Sequence, residues 1–334
     1  MEFWWCSTVD DSRRIGERLV FTGGRIFWSS ESSETAAISG GKLMVHPSAL
    51  QLIDGATGSE LEQRGVDLSL PLWSAGALLD APEVLAQVHR DYLTAGAQAI
   101  TTATFRTHRR VLEKAGLGDR AAELTRQAVQ IARDARDEIC RDALVLGSVA
   151  PLEDCYRPDL VPDEEVCFQE HLEWMEHLIE AGVDLILIET INHLSEARAA
   201  IRAARRVAEG KWMISFCTRS AGPPGVLLSG EKWQPLLEDI KDAQGVGVNC
   251  VSPHSIVDQV KLLRQDLDQT PILAYGNIGH ADEAGNWISS DAIGPELYGQ
   301  LAASWIDAGA SIVGGCCGTT PEHIRVIHQE LIDR

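Results

Sequence analysis

The stretch Leu185-Ile186-Leu187-Ile188-Glu189-Thr190 decides the fold. A run of apolar residues with no polar alternation is a strand buried on both faces, as in a parallel sheet covered by helices. The helix-like segment Asp163–Ala181 precedes it and Leu194–Ala208 follows it. The same alternation extends both ways. Upstream lie Leu50-Gln51-Leu52-Ile53, Ala99-Ile100-Thr101-Thr102 and Leu144-Val145-Leu146, with a helical pattern over Asp119–Ile139. Downstream lie Trp212-Met213-Ile214-Ser215-Phe216, Gly245-Val246-Gly247-Val248, Pro271-Ile272-Leu273-Ala274 and Ser311-Ile312-Val313, with a further helix expected over Pro295–Ala308. Eight βα units predict an α/β chain folded as one (β/α)8 TIM barrel domain. An open doubly wound sheet is the runner-up, but no Gly-x-Gly-x-x-Gly follows the first strand.

The barrel is expected over residues 48–334. Residues 1–47 carry Trp4, Trp5, Phe21, Phe27 and Trp28 among Gly and Ser clusters without a sustained period. They read as an N-terminal extension, weakly ordered or forming a small appendage, with Met44 a natural start for the compact part.

The 334 residues carry 29 Lys and Arg against 49 acidic residues, a net charge of −20. Such a surface repels phosphate backbones, which argues against nucleic acid. No apolar run approaches the roughly 20 residues that span a bilayer, so no membrane partner is expected. Eight cysteines in this length do not make a disulfide scaffold. Without a secretory signal, a cytoplasmic location is expected.

Those cysteines are unevenly placed. Cys6, Cys140, Cys155, Cys167 and Cys217 stand alone, whereas Cys250 follows Asn249 at a strand end and Cys316-Cys317 sit inside Gly314-Gly315-Cys316-Cys317-Gly318-Thr319-Thr320-Pro321. Adjacent cysteines hardly form an ordinary disulfide with each other. A barrel brings strand ends to one mouth, where Cys250, Cys316 and Cys317 would form a three-thiolate site. Zinc suits such ligands and keeps a fourth position open. Three thiolates are poor at generating hydroxide but well suited to binding another thiol in deprotonated form, so the residues alone suggest thiol activation for alkyl transfer. Buried small apolar residues are the alternative reading of these cysteines. Glu189, directly after an apolar strand, is expected to face the mouth. Asp54 has two readings, a loop-shaping helix cap or a substrate contact. Thr320 is expected to cap a helix that Pro321 begins, which places His323 in its first turn in a structural role. His89 and Tyr92 are expected to pack, and Cys155-Tyr156 could reach the mouth.

Asp54-Gly55-Ala56-Thr57-Gly58-Ser59-Glu60-Leu61, Gly247-Val248-Asn249-Cys250 and Gly314–Ile324 together resemble the homocysteine S-methyltransferase family, as do Pro82-Glu83-Val84 with His89, Tyr92–Ala97 and Ile188-Glu189-Thr190. The resemblance covers about residues 50–332, in the family's order. It implies a zinc-containing (β/α)8 barrel that makes methionine from homocysteine, with Cys250, Cys316 and Cys317 as catalytic zinc ligands. It further implies that Asp54, Gly55, Ala56, Thr57 and Gly58 hold the amino-acid end of homocysteine, with backbone N–H groups facing the carboxylate. Glu189 would accept from its ammonium, and Asn249 would orient ligand or substrate. The chain departs from the family at Thr102-Ala103-Thr104-Phe105 and Tyr275-Gly276-Asn277, both on the donor side.

The expected donor is a small onium compound. S-methylmethionine or S-adenosylmethionine is favoured and a betaine is possible, since a chain of this length lacks the extra domains of cobalamin-dependent synthases. Cation–π attraction makes Trp73, Tyr156, Trp233 and Tyr275 candidate donor contacts. The alternatives are another small thiol or a selenol as acceptor, or a zinc-binding, redox-sensing protein without turnover. The sequence does not address oligomeric state.

Overall fold

Apolar alternation along the chain produces seven parallel strands in one sheet. The structure, a computed structural model, describes residues 18–22, 25–29, 50–219, 222–281, 287–289 and 293–333. Contacts divide the chain into Met1–Met44 and Val45–Arg334. In the first unit β1 (Arg18–Thr22) pairs antiparallel with β2 (Arg25–Ser29). The remainder of the extension expected at residues 1–47 lies outside the described residues.

In the second unit α1 (Thr57–Gln63), α2 (Ala77–Asp80) and α3 (Pro82–Thr94) precede β3 (Ala99–Thr101). Then follow α4 (Arg109–Lys114), α5 (Ala121–Ile139), β4 (Leu144–Val149), α6 (Glu164–Ala181), β5 (Leu185–Ile191), α7 (Leu194–Val207) and β6 (Trp212–Phe216). The last part holds β7 (Val246–Asn249), α8 (Ile256–Asp266), β8 (Ile272–Gly276), the antiparallel pair β9 (Gly279–Ala281) and β10 (Trp287–Ser289), α9 (Pro295–Ala308), β11 (Ile312–Gly315) and α10 (Pro321–Ile332). The sheet order is β11-β8-β7-β6-β5-β4-β3, all parallel. Helices α6 and α9 each end at a glycine in the left-handed region, Gly182 (φ 88) and Gly309 (φ 116), where a side chain would be strained.

The sequence predicted eight strands, and the first is the exception. Leu50–Ile53 forms no strand of its own. Instead Leu52 bridges Val313 of β11 and Ile53 bridges Ala99 of β3, both parallel. Ile53 N–H donates to Val313 O at 2.9 Å and Asp54 N–H to Ala99 O at 3.0 Å, so this short segment bonds both edges of the seven-stranded sheet. Close approach makes the seam possible: a Cβ on Gly314 would stand 2.3 Å from Ile53 Cγ1. The helical alternation also lapses between β6 and β7, where a 3-10 turn over Gln234–Leu236 is found among the described residues.

Two apolar clusters follow from the period of two along each strand. Ile186, Ile188, Ile214, Val246 and Val248 pack outward with the helices. Leu144, Leu146, Leu185, Leu187, Met213, Leu273 and Ile312 form a separate inner cluster. Continuing the inner positions toward the C-terminal strand ends gives Thr101, Ser148, Glu189, Ser215, Asn249, Tyr275 and Cys316. Apolar residues thus fill the interior, and its C-terminal rim is polar.

Candidate active site

Cys250 follows β7, and Cys316 and Cys317 follow β11. The three Sγ atoms lie within 4.8 Å of one another, with Cys250–Cys317 at 3.7 Å and Cys316–Cys317 at 4.0 Å. A tetrahedral ion with metal–sulfur bonds near 2.3 Å spaces its sulfurs about 3.8 Å apart. The donor set and its spacing therefore fit one soft metal ion. Among the described residues no other cluster of His, Cys, Asp or Glu meets this test.

Backbone bonds hold the three ligands in place. Cys250 N–H donates to Tyr275 O (3.2 Å), Cys316 N–H to Gly276 O (3.0 Å), and Cys317 O accepts from Ile278 N–H (3.0 Å). Beneath them Tyr298 of α9 accepts from Gly276 N–H at 2.9 Å, and its hydroxyl lies 3.0 Å from both Gly276 O and Gly314 O. Around the sulfurs, Tyr156 Oη lies 3.0 Å from Cys250 Sγ while accepting from Asn277 Nδ2 at 3.1 Å. The Asn277 amide also reaches Cys250 Sγ at 3.5 Å. Without a metal, hydrogen bonds from Cys316 and then Cys317 hold the Cys250 thiol well below its usual range, against the effect of burial. Three sulfurs at this distance cannot all ionise without a cation between them.

Glu189 stands at the mouth, buried, as expected from its position after an apolar strand. Ser148 Oγ donates to its Oε1, and Tyr275 Oη to its Oε2 at 3.3 Å. Burial pushes its carboxyl up to about 7, and the charge on Cys250 adds to the rise while the two hydroxyls oppose it. Asp54 is no helix cap, since Ala56 is the residue before α1. Its carboxylate accepts from Thr101 N–H at 2.8 Å and from the Thr101 hydroxyl. Burial drives its pKa well up against those two donors. Asp54 therefore shapes the loop by fastening it to β3.

The loop Asp54-Gly55-Ala56-Thr57-Gly58 is stitched to the Cys-Cys turn. Gly315 N–H donates to Asp54 O (3.0 Å) and Ala56 N–H to Thr319 Oγ1 (3.2 Å), while Gly318 N–H donates to Ser59 Oγ (2.9 Å). Tyr92, expected only to pack, places its hydroxyl 2.9 Å from Ala56 O and 3.1 Å from Thr319 O. Tyr92→Phe removes that buried donor and should lower stability by about 1–2 kcal/mol, read as a fall in the denaturant midpoint at unchanged slope. His323 has the structural role expected. Its Nδ1 lies 3.1 Å from Thr320 N and its Nε2 3.1 Å from Ile293 O, within a capping box. His89 is fully buried, and burial pushes it down to about 4.

The aromatic candidates separate. Trp73 stands edge-on to Phe105 at 5.5 Å, beside the rim, and a Cβ on Gly58 would meet its ring. Tyr156 is 49% exposed. Tyr275 is buried and committed to Glu189. Trp233 is a correction: it is fully buried against Phe216, with its indole N–H 3.3 Å from Asp266, so it belongs to the packing under β6. Thr319, Tyr298 and Ser148 were given no role by the sequence reading, and Asn277 entered it only within the Tyr275-Gly276-Asn277 departure on the donor side. Of the first three, Thr319 alone carried a signal, its place in the Gly-Thr-Thr-Pro turn.

A family model described as homocysteine S-methyltransferase matches residues 51–331. The chain belongs to the homocysteine S-methyltransferase family. The Bacillus subtilis homocysteine S-methyltransferase YbgG is 32% identical to it over 299 residues, 83% of this chain and 93% of the relative. A selenocysteine Se-methyltransferase of Brassica oleracea var. italica is 32% identical over 322 residues, 88% of this chain and 92% of the relative. The metallated crystal structure of the Escherichia coli homocysteine methyltransferase MmuM matches with a TM-score of 0.73 at 28% identity, over 84% of this chain and 96% of that one. Family membership makes the chain a methyltransferase, and its three clustered cysteines are consistent with the metallated state of that neighbour. No helix among the described residues is long and apolar enough to cross a membrane.

Proposed function

We propose that this enzyme transfers a methyl group from a small onium donor to homocysteine, giving methionine, at a zinc ion held by Cys250, Cys316 and Cys317 in a (β/α)8 barrel. The observation that carries this is the triad of sulfurs within 4.8 Å at the polar rim of the sheet. The (β/α)8 reading rests on the Leu52 and Ile53 bridges to both sheet edges.

Bound zinc would lower the pKa of a ligated substrate thiol, so that it is held as thiolate at neutral pH. The chain's own residues then orient and shield. Glu189 retains lone pairs beyond those used by Ser148 and Tyr275, enough to accept from the homocysteine ammonium. Ala56 N–H is already committed to Thr319, so a carboxylate would be met by Gly55 and by Thr57 and Gly58, whose N–H groups have no partner within the first turn of a helix. Asp54 supports that loop through Thr101. Tyr156, Trp73 and Phe105 offer aromatic surface for an onium donor, with S-methylmethionine or S-adenosylmethionine favoured over a betaine. No general base is needed on the protein once the thiol proton has gone.

A second acceptor has support in the Brassica relative named for selenocysteine. The deciding experiment measures product formation from homocysteine and selenocysteine with each donor, with zinc content in parallel. Methionine formation with one zinc per chain is the expected result. Turnover in zinc-free protein, or none with any donor, would overturn the proposal.

A further inference from the structure

Along β5 the pairing with β6 slips. Ile188 faces Ile214 and Ile191 faces Phe216, so Glu189 and Thr190 together stand opposite Ser215. This is a β-bulge, with one residue more on β5 than on its partner. Strict alternation would turn Thr190 outward and Ile191 inward. Instead Ile191 packs with the outer cluster, and the Thr190 hydroxyl meets Asn249 inside the ring. The bulge thus delivers two consecutive residues, Glu189 and Thr190, to the mouth.

Thr190 holds this place at φ 61, in the left-handed region that a β-branched residue enters only when its surroundings enforce it. The enforcing group is the Asn249 carboxamide. Its Oδ1 accepts from Thr190 N–H at 2.8 Å and from Ser215 Oγ at 2.8 Å, and its Nδ2 donates to Thr190 Oγ1 at 2.9 Å. The remaining amide hydrogen is directed toward Cys316 Sγ, 4.0 Å away. Asn249, Thr190 and Ser215 are all buried. Both lone pairs and both hydrogens of the amide are therefore engaged within the protein, leaving nothing for substrate.

We infer that Asn249 is a positioning residue. By clamping the bulge at Thr190 from across the ring, it aims the neighbouring Glu189 carboxylate at the substrate ammonium. This rests on the reading that Glu189 binds that ammonium. The assignment gives the expected orienting role of Asn249 a specific object, the Glu189 carboxylate.

The test is calorimetric titration of homocysteine into zinc-loaded wild type, Asn249→Ala, Glu189→Gln and the double variant, with zinc content measured on each. Asn249→Ala should weaken homocysteine by roughly tenfold or more at unchanged zinc content. The double variant should bind no more weakly than Glu189→Gln alone, because Asn249 acts through Glu189. Thr190→Gly added to Asn249→Ala should recover several-fold, since glycine adopts the left-handed backbone unaided. Thr190→Val keeps the backbone demand but loses the hydroxyl. It should weaken homocysteine in the same direction, and it is the variant to read if Asn249→Ala fails to fold. If Glu189→Gln weakens binding while Asn249→Ala has no effect or adds to it fully, the positioning role is overturned and the Glu189 reading survives. If Glu189→Gln leaves binding unchanged, both fall.

Discussion

Cys316→Ala should abolish methionine formation, lowering kcat/KM by on the order of 10³-fold or more, about 4 kcal/mol in the barrier. Its sulfur lies 4.0 Å from that of Cys317, and both belong to the turn that returns Cys316 N–H to Gly276 O. With one thiolate gone, two ligands remain for an ion that favours four. Bound zinc should fall well below one per chain after brief exposure to a chelator, while wild type retains it. The fold should survive, because Cys316 is only partly buried and the stitching of the turn runs through backbone groups and Thr319. Normal turnover in this variant would place the chemistry elsewhere on the molecule.

Glu189→Gln should raise the dissociation constant for homocysteine by about 10- to 100-fold, the worth of a charged hydrogen bond, with zinc content unaltered. The pH dependence makes the test sharper. In the empty site the Glu189 carboxyl titrates near 7, so an incoming ammonium must displace a proton below that pH. Wild-type affinity should therefore fall relative to the Gln variant as the pH drops from about 7 toward 5. Thiol ionisation is common to both proteins and cancels in the ratio. Stability moves in the opposite sense. The folded-state pKa is raised above the ordinary value of 4.5, so the folded protein holds its proton longer than the unfolded chain. The contribution of this group is full below about 4.5 and is lost as pH rises through 7. Thermal unfolding of the two proteins across pH 4.5 to 8 should show the Gln variant gaining on wild type as pH increases.

Much of the fold was legible because a doubly covered parallel strand admits few polar residues. Leu185–Ile188, Trp212–Phe216 and Leu144–Leu146 were readable as strands for that reason. Leu50–Ile53 is apolar apart from Gln51, yet it contributes two bridges in place of a strand; strand length depends on the partner edges, which composition does not encode. The charge at Glu189 marked the end of β5 in the sequence, whereas the strand runs on to Ile191. A bulge is invisible to a period-two reading until the partner register is known. The three cysteines were legible because adjacent thiols at a strand end serve few purposes beyond holding a metal. Tyr92, Tyr298 and Thr319 were not, because an apolar helix face or a turn does not reveal which distant backbone group a hydroxyl will meet. Trp233 was misplaced for a related reason: a Trp beside loop residues looks available, and its burial follows only from the packing of Phe216.

The seam at Leu52 and Ile53 bears on how the enzyme comes into being. Ala56 finds its Thr319 partner across a sequence separation of 263, and two of the three sulfurs belong to that same late turn. A nascent chain that still lacks β11 and this turn can bridge Ile53 to β3 but has no Val313 for Leu52 to pair with, and it holds one of the three sulfurs. Pairing Leu52 with β11 and completing the sulfur triad therefore wait on the same stretch of chain. A chain cut short before β11 should lose the Leu52 bridge and two of the three sulfurs together, so that a defect in the seam is also a defect in the metal-binding cluster.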